Sequence, residues 1–157
     1  MSEHLVQEIV YYLLNYGIFG LFLIALIGST VFIPMSVEVF MAALAGLKID
    51  PYLILFVASL GSLLGNVINY FVGRMVGEKV TRKWKKDKTV KKMEEIVKKY
   101  GYAGLFVLIA LPLPLPVDVL TVLAGIIEMD LKWFVLAIFL GKLVHYSFFL
   151  GIINMVI

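Results

Sequence analysis

Pro34-Met35-Ser36-Val37-Glu38-Val39 and Pro114-Leu115-Pro116-Val117-Asp118-Val119 read as one phrase written twice. Each runs on to a Leu-Ala-Gly triplet, Leu44-Ala45-Gly46 in the first and Leu123-Ala124-Gly125 in the second. Each places one carboxylate inside a short, proline-broken, otherwise apolar stretch. A carboxylate in hydrocarbon is costly, so its default reading is functional. Two of them, at matching positions of two halves, point to a transporter built from repeats.

The composition supports that setting. Of 157 residues, 62% are hydrophobic and 16% charged, whereas a soluble domain averages about 45–50% apolar and about 25% charged. The apolar runs are continuous rather than alternating, which predicts an all-α integral membrane protein and not a membrane barrel. No cysteine is present, which excludes disulfides, thiol catalysis and thiolate metal sites. The opening Met1-Ser2-Glu3-His4 lacks the basic region of a secretory signal.

Working outward, Gly17 to Ile33 is apolar and ends at Pro34. Pro34 to Leu47 is a second apolar piece, stopped by Lys48-Ile49-Asp50-Pro51. At about 1.5 Å per residue this second piece reaches only roughly 20 Å, short of the hydrocarbon core of about 30 Å. The two pieces therefore read as a re-entrant hairpin with its tip at Pro34. Tyr102 to Leu111, the breakers Pro112, Pro114 and Pro116, and Val117 to Ile127 form a second such hairpin. Tyr52 to Gly73 and Leu131 to Ile157 are long enough to span. Four full spans without hairpins are the alternative.

The repeat holds by offset. Tyr16, Gly17, Gly20, Leu21 and Phe22 match Tyr100, Gly101, Gly104, Leu105 and Phe106, all 84 residues on. Pro34, Val37, Glu38 and Val39 match Pro114, Val117, Asp118 and Val119 at 80, as Asp50 matches Asp130 and Leu60, Gly61 and Leu63 match Leu140, Gly141 and Leu143. Each half holds one hairpin and one span, an odd number of crossings, so the second half runs upside down: an inverted repeat. The expected organisation is a single membrane domain over residues 1–157, with halves 16–77 and 100–157 joined by a basic amphipathic segment, 78–99.

Of the 14 Lys and Arg, 11 lie between Arg74 and Lys99. The positive-inside rule places that stretch in the cytoplasm of a multi-pass plasma-membrane protein. Its position between two apolar blocks is that of a membrane loop, which argues against a nucleic-acid partner. Val90, Met93, Val97 and Tyr100 mark an amphipathic helix there. Leu5, Val6, Ile9, Val10, Leu13 and Leu14 mark another at the start, either lying in the interface or continuing into the next segment as one long helix.

With that topology the hairpins enter from opposite sides and bring Glu38 and Asp118 together near the midplane, as proton-coupling candidates. Their competing role is to cap the returning half-helices. Gly61, Gly65 and Gly73 share one helix face with Asn69 and suit close helix packing. Asn66 and Asn69 are polar-cavity candidates. Lys142 sits well inside the last span, with His145 one turn on. Lys142 is a candidate to pair with an acid or to hold a headgroup, against a merely snorkelling lysine. His145 is a cavity candidate, against an ordinary packed histidine.

The order Pro34-x-x-x-Glu38, then Gly61-x-x-x-Gly65-x-x-x-x-Tyr70-x-x-Gly73-Arg74-x-x-Gly77, then a basic helix and a proline-rich second hairpin resembles the DedA superfamily, or VTT domain, over roughly Gly17 to Gly151. The resemblance implies opposed re-entrant hairpins and movement of polyprenyl-phosphate carriers or phospholipids between leaflets, as a flippase or scramblase, with proton coupling. By position it makes Glu38 the first-hairpin acid and Arg74 the arginine ending the glycine-rich helix. Better-known members carry arginines around the second hairpin. This chain has none after Arg82, and looks closer to the shorter YqaA-like branch. That leaves Lys142 and Arg74 as the cations for an anionic headgroup.

The implied partners are membrane lipids and protons, with no metal or other cofactor. A homodimer suits a chain of this size, with the glycine face as one contact. No nucleophile elbow, metal-ligand spacing or phosphate loop is present, so an enzyme is not expected. Two rivals remain: a proton-coupled exporter of organic cations, similar to the small multidrug transporters, and a structural or assembly protein whose acids only fix the fold.

Overall fold

The fold was obtained as a computed structural model that describes residues 3–32, 36–77, 82, 86–113 and 115–156. All regular structure among the described residues is helical: α1 (Glu3–Gly28), α2 (Val37–Gly46), α3 (Pro51–Val76), α4 (Lys88–Tyr100), α5 (Tyr102–Ala110), α6 (Val117–Ile126) and α7 (Leu131–Val156). The all-α expectation holds. Two stretches, Pro51–Val76 and Leu131–Ile152, are long and apolar enough to cross a membrane.

α3 is the central helix and packs against α1, α6 and α7. Its glycines make this possible. A Cβ on Gly61 would meet the Phe22 carbonyl at 2.6 Å and the Ala25 Cβ at 2.8 Å, and one on Gly65 would collide with the Leu26 carbonyl. Further along, Gly73 lies against the Val122 carbonyl, and Gly125 of α6 lies against the Tyr70 carbonyl. Lipid tails are as apolar as leucine, so close backbone approach and polar bonds hold such helices together more than apolar burial does. The outward faces carry Phe56, Leu64, Ile68 and Phe71 on α3, and Leu136, Leu140, Val144, Phe148 and Ile152 on α7, all exposed. The second set recurs every four residues, one continuous apolar stripe.

α1 is two helical pieces joined at a kink and not one straight rod. Gly17 adopts φ 44°, ψ −119° inside it and kinks the helix there, a conformation that glycine reaches without a Cβ penalty. The amphipathic stripe expected before that kink (Leu5, Val6, Ile9, Val10, Leu13, Leu14) involves side chains outside the described residues.

The junctions after α2 and α6 are built alike. The amide of Lys48 donates to Ala45 and that of Ile49 to Leu44; the amide of Glu128 donates to Gly125 and that of Met129 to Ala124. Both are Schellman caps with a non-glycine residue in the left-handed position, Lys48 at φ 61° and Glu128 at φ 56°. Asp50 then accepts the Tyr52 amide at 3.0 Å, and Asp130 the Lys132 amide at 2.9 Å, each opening the next long helix.

α4 is the amphipathic helix expected, with one difference at Tyr100. Val90, Met93 and Val97 are buried in the core with Leu105, Leu108, Leu120 and Phe134, so α5 and α6 cover its apolar face and lipid does not. Tyr100, expected on that face, is exposed. The reason is local: Gly101, at φ 63°, turns the chain sharply from α4 into α5 and folds the stripe inward.

Candidate functional site

The inner face of α3 is where polar groups enter the apolar core. Asn66 and Asn69 are fully buried there. Asn69 Nδ2 donates to the Ser29 carbonyl at 2.9 Å and to Thr121 Oγ1 at 3.0 Å, while its Oδ1 accepts the Val31 amide at 2.8 Å. Asn66 Nδ2 donates to the Ser29 carbonyl and to Asp118 Oδ1, both at 3.1 Å. The two amides thus tie the break after α1 to the first turn of α6. Neither is among the residues lining the cavity beside them; they clamp the elements that enclose it.

That cavity, about 190 Å³, is lined by Ser29, Glu38, Asp118, Lys142, His145 and Tyr146 together with apolar residues of α5 and the segment before α6. Glu38 and Asp118, 80 residues apart in sequence, therefore face one space. Each lies in the first turn of its helix, α2 or α6. The cap residues themselves, Ser36 and Pro116, make no side-chain hydrogen bond to their helices, which leaves Glu38 and Asp118 as the polar side chains of those first turns. Glu38 is held from two sides: Ser36 Oγ donates to its Oε2 at 3.2 Å, and His145 Nε2 stands 3.3 Å from its Oε1. Asp118 is held by Asn66.

Lys142 is buried, with 7% of its surface exposed. Its charge acts on both carboxylates, and its ammonium lies over the Tyr146 ring, 5.5 Å from the centroid. Tyr146 is fixed in turn by a 2.7 Å hydrogen bond between its hydroxyl and Ser62 Oγ on α3. This is no snorkelling lysine, since its head stays inside the protein. Tyr146 and Ser29 were not singled out in the sequence. Tyr146 stands one turn beyond Lys142, and that spacing was the available signal.

A second, more apolar recess of about 290 Å³ is lined by Glu38, Pro112, Leu113, His145, Phe148, Phe149 and Ile152. It shares Glu38, Leu113 and His145 with the chamber, so that trio divides a polar compartment from an oily one. Pro112 and Pro116 lie in the α5–α6 connection, and Pro34 and Pro114 fall outside the described residues. Arg74 is exposed in the last turn of α3 and does not line the chamber. No group of three or more potential metal ligands is present among the described residues.

The chain is 30% identical over 133 residues to an uncharacterized protein of Methanocaldococcus jannaschii, covering 85% of this chain and 81% of that one. No solved structure matches it. The VTT domain matches residues 33–155, a stretch that runs from before Glu38 to beyond His145 and takes in both acids, the buried lysine and both apolar spans. With that match, the chain belongs to the VTT domain (DedA) family of membrane proteins.

Proposed function

We propose that this protein moves an anionic lipid, a polyprenyl phosphate or a phospholipid, between leaflets, its headgroup passing through the chamber of Glu38, Asp118 and Lys142. One observation carries the reading: a polar chamber with a buried ammonium borders an apolar recess lined by Phe148, Phe149 and Ile152. Such a pair of compartments suits a molecule with a charged head and a hydrocarbon tail. Two carboxylates face one ammonium there, so an anion enters favourably only when the acids take up protons. Lipid movement and proton uptake are coupled by that charge count.

The same reading makes the helix pairs opposed re-entrant hairpins of an inverted repeat. α2 and α6 have 10 residues each, about 15 Å of helix, or half the hydrocarbon core. Gly61 packs on Phe22 and Ala25, while Gly141 packs on Phe106 and Ile109. The glycines are 80 apart and their partners 84 apart, the offsets of the repeat. The basic segment then lies on the cytoplasmic side of the plasma membrane. In this Cys-free chain, single cysteines at Lys48 and Arg82 labelled from the same face would refute that topology.

The charge count also supports a second reading. With both acids ionised the chamber favours a cation, as an organic-cation exporter would need. A leaflet-exchange assay in proteoliposomes, with polyprenyl phosphate and with phospholipids, with and without a proton gradient, tests the proposal. Lipid exchange that depends on the protein supports it. An absence of exchange for every lipid, with proton-driven uptake of an organic cation, favours the second reading. Flux of neither leaves a structural or assembly role.

A further inference from the structure

Each ring nitrogen of His145 faces an oxygen. Nδ1 is 2.9 Å from the carbonyl of Leu111, just past the end of α5, and Nε2 is 3.3 Å from Glu38 Oε1 on α2. A hydrogen bond needs one proton between its two heavy atoms, so these two contacts need two protons. A neutral imidazole has one, and a backbone carbonyl brings none. The Leu111 carbonyl can only accept, so it claims the proton on Nδ1. The proton between Nε2 and Glu38 must then be an extra one, carried either by the imidazole as imidazolium or by the carboxyl as carboxylic acid. Without it two lone pairs face each other. A switch of tautomer would only move the conflict to Leu111.

We propose that Leu111, His145 and Glu38 form a latch between the polar chamber and the apolar recess, closed while the Glu38–His145 pair holds this extra proton and open once it is lost. Glu38 and His145 line both compartments, with Leu113 beside them. Parting Glu38 from His145 therefore widens the passage between the two. The proton is taken from water and returned to it, and no bond other than N–H or O–H changes. Among the described residues, the titratable groups that share the chamber with Glu38 of α2 and His145 are Lys142 and Tyr146 on α7 and Asp118 on α6, while Leu111 after α5 gives a carbonyl. The neutral Ser62 and Asn66 of α3 bond to Tyr146 and Asp118. The latch concerns closure of the chamber and holds whichever substrate the chamber takes.

The test reads closure directly, with no substrate. Val117, which lines the chamber, is changed to cysteine in the Cys-free chain, and the protein in nanodiscs is reacted with a small charged thiosulfonate. Rates are divided by those of a cysteine at exposed Leu47, which removes the pH dependence of the thiol itself. From about pH 5 to about pH 8, the normalised rate should rise about tenfold with His145 and Glu38 intact. Glu38→Gln should keep it low at both pH values, because the amide supplies the second proton permanently. His145→Phe should keep it high at both. Equal pH dependence in all three proteins, or none in the chain with both residues intact, overturns the latch. Nitrogen NMR of labelled histidine, assigned in a His4→Gln background, needs no variant of the pair itself. Nδ1 of His145 should stay protonated throughout, and a neutral ring protonated on Nε2 at the higher pH would also overturn it.

Discussion

Asn69 closes the open end of α1 at Ser29. Its amide nitrogen donates to the Ser29 carbonyl at 2.9 Å, and its amide oxygen accepts the Val31 amide at 2.8 Å. The last carbonyls of a helix have no partner within it, and here one side chain from another helix supplies what the chain cannot. The same nitrogen reaches Thr121 Oγ1, whose hydroxyl donates to the Asp118 carbonyl at 2.7 Å.

Asn69 should therefore be a stability residue. Asn69→Ala leaves the part-buried Val31 amide without its partner and the Ser29 carbonyl with Asn66 as its remaining donor. An orphaned group costs about 1–3 kcal/mol, so a clear fall in thermal stability is expected in detergent or nanodiscs. Asn69→Asp should not rescue it, because a carboxylate accepts from Val31 but cannot donate to Ser29. A melting temperature unchanged by either substitution would show that the clamp is not load-carrying.

Close contact of α3 with α6 gives a second expectation. Gly73 and Gly125 each face a backbone carbonyl of the other helix, Val122 and Tyr70. Gly125→Ala or Gly73→Ala must push the helices apart, at a cost of about 1–3 kcal/mol as for an overpacked core. Gly46→Ala, with nothing within 4 Å of the added Cβ, serves as the control. Equal unfolding midpoints for all three would contradict the packing.

These two cases show what the sequence discloses and what it withholds. The breaks after α1 and after α5 are legible because prolines interrupt continuous apolar runs. The glycine face of α3 is legible because its spacing is helical. Which helix that face meets is not, because small residues specify closeness and not a partner. Asn66 and Asn69 read as cavity-lining for the same reason: a buried amide needs hydrogen bonds, and spacing cannot say whether a pore or a backbone supplies them. The Glu38–His145 contact joins residues 107 apart, across two helices whose packing no local pattern encodes. The burial of α4 was hidden because an amphipathic stripe looks the same against lipid and against protein.

The two Schellman caps carry removable strain. Lys48 and Glu128 occupy the left-handed region at φ 61° and 56°, where a side chain costs about 1–2 kcal/mol and glycine nearly nothing. Lys48→Gly and Glu128→Gly should each raise the unfolding midpoint, and together they should add, because the sites belong to separate junctions. A fall in stability at either site would mean that its side chain contributes more than its backbone costs.

Asp118→Asn separates charge from fold. Asparagine keeps an oxygen for the Asn66 amide, which donates to Asp118 Oδ1 at 3.1 Å, so the variant should fold. Under the proposed function it should also lose lipid exchange, because one of the two acids proposed to take up a proton is gone. Glu38→Gln should fail in the same assay. Normal flux in either variant, at normal expression and melting temperature, would remove that acid from the proton site.

Under the proposed function, Lys142 is the residue on which binding of an anionic substrate depends. Methionine has nearly its length and can fill the same space between α7 and the chamber, so Lys142→Met removes charge and little packing. The chamber then holds two carboxylates and no cation, and an anionic headgroup should bind at least about tenfold more weakly, or about 1.4 kcal/mol. Tyr146→Phe makes the useful comparison. It removes the hydroxyl bonded to Ser62 Oγ but keeps the ring face under the ammonium, where the attraction comes from the ring and not from the hydroxyl. It should lower stability while leaving headgroup affinity nearly unchanged. Titration of a short-chain phospholipid against the three proteins checks both statements. Equal affinity in Lys142→Met and the unaltered chain would take the lysine out of the binding site and leave the cation reading as the better one.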